Sequence, residues 1–197
     1  MTRTVNEERP GELLDAIIQY LSVHRIADLS LRPLAKAVGS SPRGLLYYFG
    51  SKEKLVDQAL ARVRERQRAI YGQLYTVKFK SQAAVYRAIW NHMTAAESEP
   101  IFHLFFEAYG MALREPKRFQ PLLRATIEDW LEFIADPDLQ RQHGRREARV
   151  FATILLAGFR GFMLDFCATH DRQRLNRAVD LWIQSLDKIP LKLVSGT

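Results

Sequence analysis

Cys167 and His170 lie three residues apart, a spacing at which a thiol and an imidazole on one helix can face each other as nucleophile and base, or as two metal ligands. The rest of such a site is missing. A zinc centre needs further Cys, His or carboxylate ligands at close spacing, and His24, His92, His103 and His143 are scattered along the chain. No glycine-rich phosphate loop, Gly-x-Ser-x-Gly elbow or His-Glu-x-x-His motif occurs. A small buried cysteine beside a helix end accounts for the pair, so no metal, cofactor or catalytic residue is expected. A different chemistry is concentrated earlier. From Leu29 to Lys52 the chain carries Arg32, Lys36, Arg43 and Lys52, no acidic residue, and the pair Tyr47 and Tyr48, which suits a surface that meets phosphates and base edges.

The elements that position these residues are marked by punctuation. Ser30 precedes Leu31, Leu34, Ala35 and Val38, whose spacing makes one face of a short helix with Ser30 as its N-cap. Gly39 supplies the left-handed backbone that ends it. Ser41-Pro42 then starts a second helix, because serine caps a free amide and proline in the first turn loses no hydrogen bond. Two short helices joined by a tight glycine turn make a helix-turn-helix, whose second helix enters the major groove. On that helix Arg43, Tyr47 and Tyr48 face outward, Leu45 and Phe49 inward, and Leu46 is intermediate. Gly50-Ser51-Lys52 opens a third helix, where a lysine and free amides favour a phosphate. Leu14, Ile17, Ile18 and Leu21, on a preceding helix, pack across the pair. The expected unit is a three-helix DNA-binding domain over residues 1–54, beginning with a polar arm that frays up to Glu7 to Pro10.

This stretch resembles the DNA-binding domain of the TetR family of bacterial transcriptional regulators. The family pattern of Ser or Thr, Leu-Ala, Gly-x-Ser and Leu-Tyr-x-Tyr-Phe-x-Ser-Lys is matched by Ser30, Leu34-Ala35, Gly39-Ser40-Ser41 and Leu45 to Lys52, in about a quarter of the chain. The resemblance implies that Ser30, Tyr48 and Lys52 touch phosphates and that Arg32, Arg43 and Tyr47 lie near bases, with Ser41 in the same DNA-facing set. Gly44 stands where the family usually has Thr, and Leu46 where it usually has Tyr, so two common backbone contacts are missing.

The composition fits this reading without carrying it. With 47% hydrophobic and 26% charged residues, the 197-residue chain is ordinary for a globular protein. Its net charge of +7 is compatible with nucleic acid, yet residues 1–64 hold ten basic against seven acidic residues, so local placement says more than the total. One cysteine excludes an intramolecular disulfide framework and fits a reducing compartment. The N-terminus lacks the apolar run of a secretory signal, and the longest apolar run, Val150 to Phe159, stops at Arg160, short of the roughly 20 residues of a membrane span. A cytoplasmic protein with no membrane contact is expected.

Beyond the helix-turn-helix the chain is all-α, helix after helix with no alternating strand pattern, forming a second domain over residues 55–197. A long helix from Ser51 towards Tyr75 joins the domains as a lever, with Arg62, Arg64, Arg66 and Arg68 read as solvated. Pro100 closes a helix bearing Val85, Ile89, Met93 and Ala96, and Pro116 ends an aromatic helix over Ile101 to Ala112. Phe119 to Ile134 forms another, ending at the turn Asp136-Pro137-Asp138. A polar loop follows, whose cluster Arg141, Arg145, Arg146 and Arg149 is read as solvated rather than anion-binding. Two helices remain, about Arg145 to Thr169 and Asp171 to Lys188. Gly158 and Gly161 in the first, and Leu175, Val179, Trp182 and Leu186 in the second, suit close helix contact, either inside the chain or with a second copy.

The resemblance implies a homodimer formed by these last helices, on double-stranded operator DNA, with a small-molecule effector cavity in the bundle. Residues expected to line it are Trp90, Met93, Phe102, Phe106, Tyr109, Trp130, Phe159, Met163 and Phe166, although most of the aromatics and methionines of this domain must be core. The ligand is expected to be largely apolar, with His92, Glu107 and Arg160 as candidate anchors. A ligand-responsive repressor is the leading function, and it is not an enzyme. A DNA binder without effector, or a helical carrier or enzyme with a vestigial DNA motif, are the alternatives.

Overall fold

The computed structural model of the chain describes residues 9–186 and Lys188; the expected polar arm up to residue 8 and the last residues expected in the second domain lie outside the described residues, while Arg9 and Pro10 of that arm begin the first helix. Four helices build the first half: α1 (Arg9–Leu21), α2 (Leu31–Ala37), α3 (Pro42–Phe49) and α4 (Lys52–Thr76). Gly39, at φ 65°, turns the chain between α2 and α3, and Gly50, at φ 82°, turns it into α4. Ser41 Oγ accepts from the Gly44 amide at 3.0 Å, and Ser51 Oγ accepts from the Lys54 amide at 3.1 Å. Ser30 has extended N-cap backbone angles but its side chain makes no cap bond, unlike the cap expected from sequence.

Ile17, Leu34 and Leu45 have no exposed surface and meet Phe49, Leu55, Val56 and Ala59 in a single apolar core. Burial of each such aliphatic side chain contributes roughly 1.5–3 kcal/mol relative to leaving it in water. The core reaches past residue 54 along α4, and it includes Leu104 and Ala108 from a helix of the second half.

That second half comprises α5 (Gln82–Met93), α6 (Glu99–Arg114), α7 (Pro116–Ile134), α8 (Pro137–His143), α9 (Arg145–Thr169) and α10 (Arg172–Leu186), and there is no strand among the described residues. Three prolines act at helix starts. Pro100 opens α6 rather than closing α5, and Pro116 opens α7. Pro137 opens α8 behind Asp136, whose carboxylate accepts from the Leu139 amide at 2.8 Å, so a helix occupies much of the expected loop. Proline tolerates the first turn because that amide has no intrahelical partner.

The central strut is α9. Ala148, Phe151, Ala152, Leu155, Phe159, Met163 and Phe166 form its buried face. By length and composition alone α9 could cross a membrane, which the interrupted run read from sequence did not show; here its buried face packs against α6, α7, α8 and α10. Trp90 of α5, fully buried, donates its indole N–H to Asn176 Oδ1 at 2.7 Å and meets Phe162 and Phe166 edge-on, fastening α5 to α9 and α10.

Charged contacts tie α4 to both halves, so its arginines are not simply solvated. Arg66 Nη2 lies 2.5 Å and Arg62 Nε 3.5 Å from the Asp15 carboxylate of α1. Arg64 Nε lies 3.0 Å from Asp129 Oδ2 of α7, and the Arg68 guanidinium lies 5.4 Å from the centre of the Phe133 ring.

Candidate nucleic-acid interface and ligand cavity

The outward surface of α2, α3 and the start of α4 carries the DNA-facing residues read from sequence. Ser30, Arg32, Ser41 and Arg43 are exposed, and Tyr47 is 74% exposed. Tyr48 is half-buried, its ring edge-on to Tyr47 with centroids 5.2 Å apart. Lys52 is also half-buried, and its Nζ donates to the Leu29 carbonyl at 3.0 Å, joining the start of α4 to the segment before α2. Leu46 is 41% exposed beside Tyr47, an apolar side chain on the outward face of α3. A Cβ at Gly44 would sit 3.0 Å from Ser40 Oγ and 3.2 Å from Ser41 Oγ, so the departure from Thr coincides with a close approach of both hydroxyls.

The second site is an apolar cavity of about 130 Å³ lined by α4, α5, α6, α7 and α9. Four of the expected lining residues, Met93, Phe102, Trp130 and Phe159, surround it, together with Phe105 and Phe133. Trp90, Phe106, Tyr109, Met163 and Phe166 do not. Trp90 and Met163 have no exposed surface and Phe166 is buried, all three in the core against α10. Tyr109 stands one layer out, accepting from Arg160 Nη1 at 2.7 Å. The wall from α4, with Leu60, Val63, Gln67 and Tyr71, was not anticipated; its spacing of three and four residues is the available signal.

Of the candidate anchors, only Arg160 lines the cavity. Burial lowers its guanidinium pKa and the Tyr109 hydroxyl opposes the shift. Glu107 instead reaches the DNA-binding half, where Oε1 accepts from the Ala27 amide at 3.3 Å. The ring of His92 lies edge-on to Tyr71, and burial lowers its pKa, against the pull of Glu97. Burial pushes the Tyr71 hydroxyl well above its usual range, which keeps it a proton donor. Gln67 Oε1, Tyr71 OH and Arg160 Nη2 are shielded from solvent with no hydrogen-bond partner among the described residues.

His170 sits at φ 51° past the end of α9, with Nδ1 3.5 Å from Glu99 Oε1. Among the described residues no group of three or more His, Cys, Asp or Glu is placed to hold a metal ion.

Residues 13–59 match the family model described as bacterial regulatory proteins, tetR family. The amino-terminal domain belongs to the TetR family. Known structures extend the likeness of fold over nearly the whole chain. GusR of Salmonella enterica superposes with a TM-score of 0.74 at 17% identity, covering 94% of this chain and 98% of its own. A transcriptional regulator from Rhodococcus sp. Rha1 gives 0.72 at 20% identity, covering 91% and 96%. A TetR transcriptional regulator from Legionella pneumophila gives 0.67 at 15%, covering 94% and 98%. Among curated proteins, none matches the sequence.

Behind the TetR-family domain, the last two helices engage most of the residues read as a dimer surface inside the chain. Leu175, Val179 and Leu186 are 1%, 0% and 4% exposed and belong to the bundle core. A Cβ on Gly158 would lie 2.2 Å from Trp182 Cζ2, so the glycine makes room for its own chain's indole, which packs edge-on against Phe159 and Phe162. Gly161, by contrast with Gly158, has nothing within 4 Å of the place a Cβ would take. The outward apolar residues of these helices include Leu164, 54% exposed, and Leu181, 68% exposed. Spacing identifies an apolar face; it does not say whether the same chain or another one covers it.

Proposed function

We propose that this TetR-family protein is a ligand-responsive dimeric transcriptional regulator, a repressor that binds a two-fold operator in the cytoplasm and is released by a small, largely apolar effector. One observation carries the reading: α6 belongs to both sites at once. Leu104 and Ala108 line the cavity and also sit in the amino-terminal core, while Glu107 bonds to Ala27 beside α2. A ligand that moves α6 therefore alters the support of the reading helix directly. The second connection is α4, fastened to α1 through Asp15 and to the cavity wall through Asp129.

A bound state with the two reading helices wrongly spaced weakens DNA binding, and by linkage DNA weakens ligand binding by the same factor. Two copies are needed because a two-fold operator presents equivalent half-sites one helical turn, or a multiple of it, apart. The outward residues Gly161, Leu164 and Leu181 are the surface proposed for that pairing. Selection of bound sequences from a random DNA pool tests the reading. The expected product is a palindrome; recovery of unrelated sequences with equal affinity would favour a sequence-tolerant binder without an effector.

A further inference from the structure

Two guanidinium groups line the cavity, and only one is neutralised. Arg64 lies 3.0 Å from Asp129 Oδ2 through Nε and donates to Thr126 Oγ1 at 2.9 Å through Nη1. Arg160 has no such carboxylate. Its Nη1 donates to Tyr109 OH, its guanidinium lies 5.2 Å from the centre of the Phe105 ring and 5.5 Å from that of Tyr109, and its solvent-shielded Nη2 has no partner. No Asp or Glu is among the described residues that line the cavity. Arg160 is half-buried, a desolvated cation without a counter-ion is unfavourable, and a ligand anion would relieve it.

Resting on the effector-site reading above, we propose that the cavity takes an amphipathic monoanion, a carboxylate joined to an apolar or aromatic body, with the carboxylate accepting from Arg160 Nη2. The apolar body lies against Phe102, Phe105, Trp130 and Phe133. On the α4 wall the unpartnered Gln67 amide oxygen disfavours a carboxylate beside it, while the unpartnered Tyr71 hydroxyl is a donor for a polar group of the ligand. A cationic ligand could stack on the same rings, but Arg160 opposes it across the cavity.

The test uses ligands of one shape and three charges. The DNA-free, full-length protein is titrated calorimetrically at pH 7.5 with octanoate, octan-1-ol and octylamine, and with 4-phenylbutyrate, 4-phenylbutan-1-ol and 4-phenylbutylamine. At least one acid is expected to bind about tenfold or more tightly than its alcohol, the scale of one charge-assisted hydrogen bond in a dry site, with the amine weakest. Arg160→Gln should bring acid and alcohol within about twofold of each other while the alcohol still binds, and Arg160→Lys should keep part of the preference. Alcohols that bind as tightly as the acids, amines that bind more tightly, no binding by either acid, or a preference that survives Arg160→Gln would each overturn the proposal. Because DNA is absent, failure to select an operator would overturn the regulator reading and leave this result standing.

Discussion

At the scale of single residues, exposure separates the proposed DNA contacts that would specify from those that would hold. Arg43 is exposed on the outward face of α3, so Arg43→Ala is expected to lower discrimination between operator and mismatched DNA by about 1–3 kcal/mol if it pairs with a guanine edge. Uniform weakening on both DNAs in a binding titration would assign Arg43 to the backbone instead. Lys52 differs because its ammonium already bonds to the Leu29 carbonyl. Lys52→Ala should reduce the salt slope of DNA binding by about one and also destabilise the fold by about 0.5–1.5 kcal/mol. A lower urea midpoint with an unchanged slope would restrict the residue to a structural role.

Cys167 illustrates a residue made inert by its surroundings. Burial, with the charge of Glu99 adding to it, pushes the thiol up to about 11. The folded protein therefore holds far less thiolate at pH 8 than the unfolded chain, whose thiol titrates in the ordinary range. Alkylation by iodoacetamide at pH 8 should run at least about tenfold slower folded than in urea. Equal rates would remove the proposed protection.

At the scale of elements, glycines in similar sequence settings have opposite roles. Gly158→Ala drives a Cβ into the rigid Trp182 indole and is expected to destabilise by about 1–3 kcal/mol, read from chemical denaturation. Gly110, exposed within α6 with nothing near its missing Cβ, should behave the other way: Gly110→Ala is expected to stabilise by about 0.5–1 kcal/mol through helix propensity. Equal effects of the two changes would mean that the indole is not seated against α9.

The same contrast shows what could be read from sequence. Local signals located the helices of the amino-terminal domain closely, because caps such as Ser41-Pro42 and turns such as Gly39 act within a few residues. The comparable Asp136-Pro137 signal reads as a turn because the segment after it is polar, yet it caps α8. Periodicity picks out the stripe Leu175, Val179, Trp182 and Leu186 on α10 and leaves out the outward Leu181, but it does not say that the stripe packs within its own chain. The cavity was only half legible. Aromatic content pointed to Phe102, Trp130 and Phe159, whereas Trp90 satisfies its N–H on Asn176 and is core, a pairing set by tertiary packing alone.

For the whole molecule, the central matter is how a cavity in one half reaches a reading surface in the other. Two elements cross between them: α4, ion-paired on both sides, and α6, whose residues serve the amino-terminal core and the cavity wall together. Pairing of two copies would turn a shift of either helix into a change of half-site spacing. Leu181→Glu tests the pairing better than a change at Trp182, because Leu181 is 68% exposed while Trp182 fills the space beside Gly158 within one chain. The variant should sediment as a folded monomer and lose selective DNA binding. A folded variant that stays dimeric would place the interface elsewhere.

The most direct measurement is binding of the purified protein to the DNA upstream of its own gene, over a series of salt concentrations, beside an unrelated fragment of equal length. The expected result is tight, selective binding with a two-fold footprint, and a preference that persists as salt weakens both complexes. Equal, salt-sensitive affinity for the two fragments, or no binding to either at low salt, would contradict it.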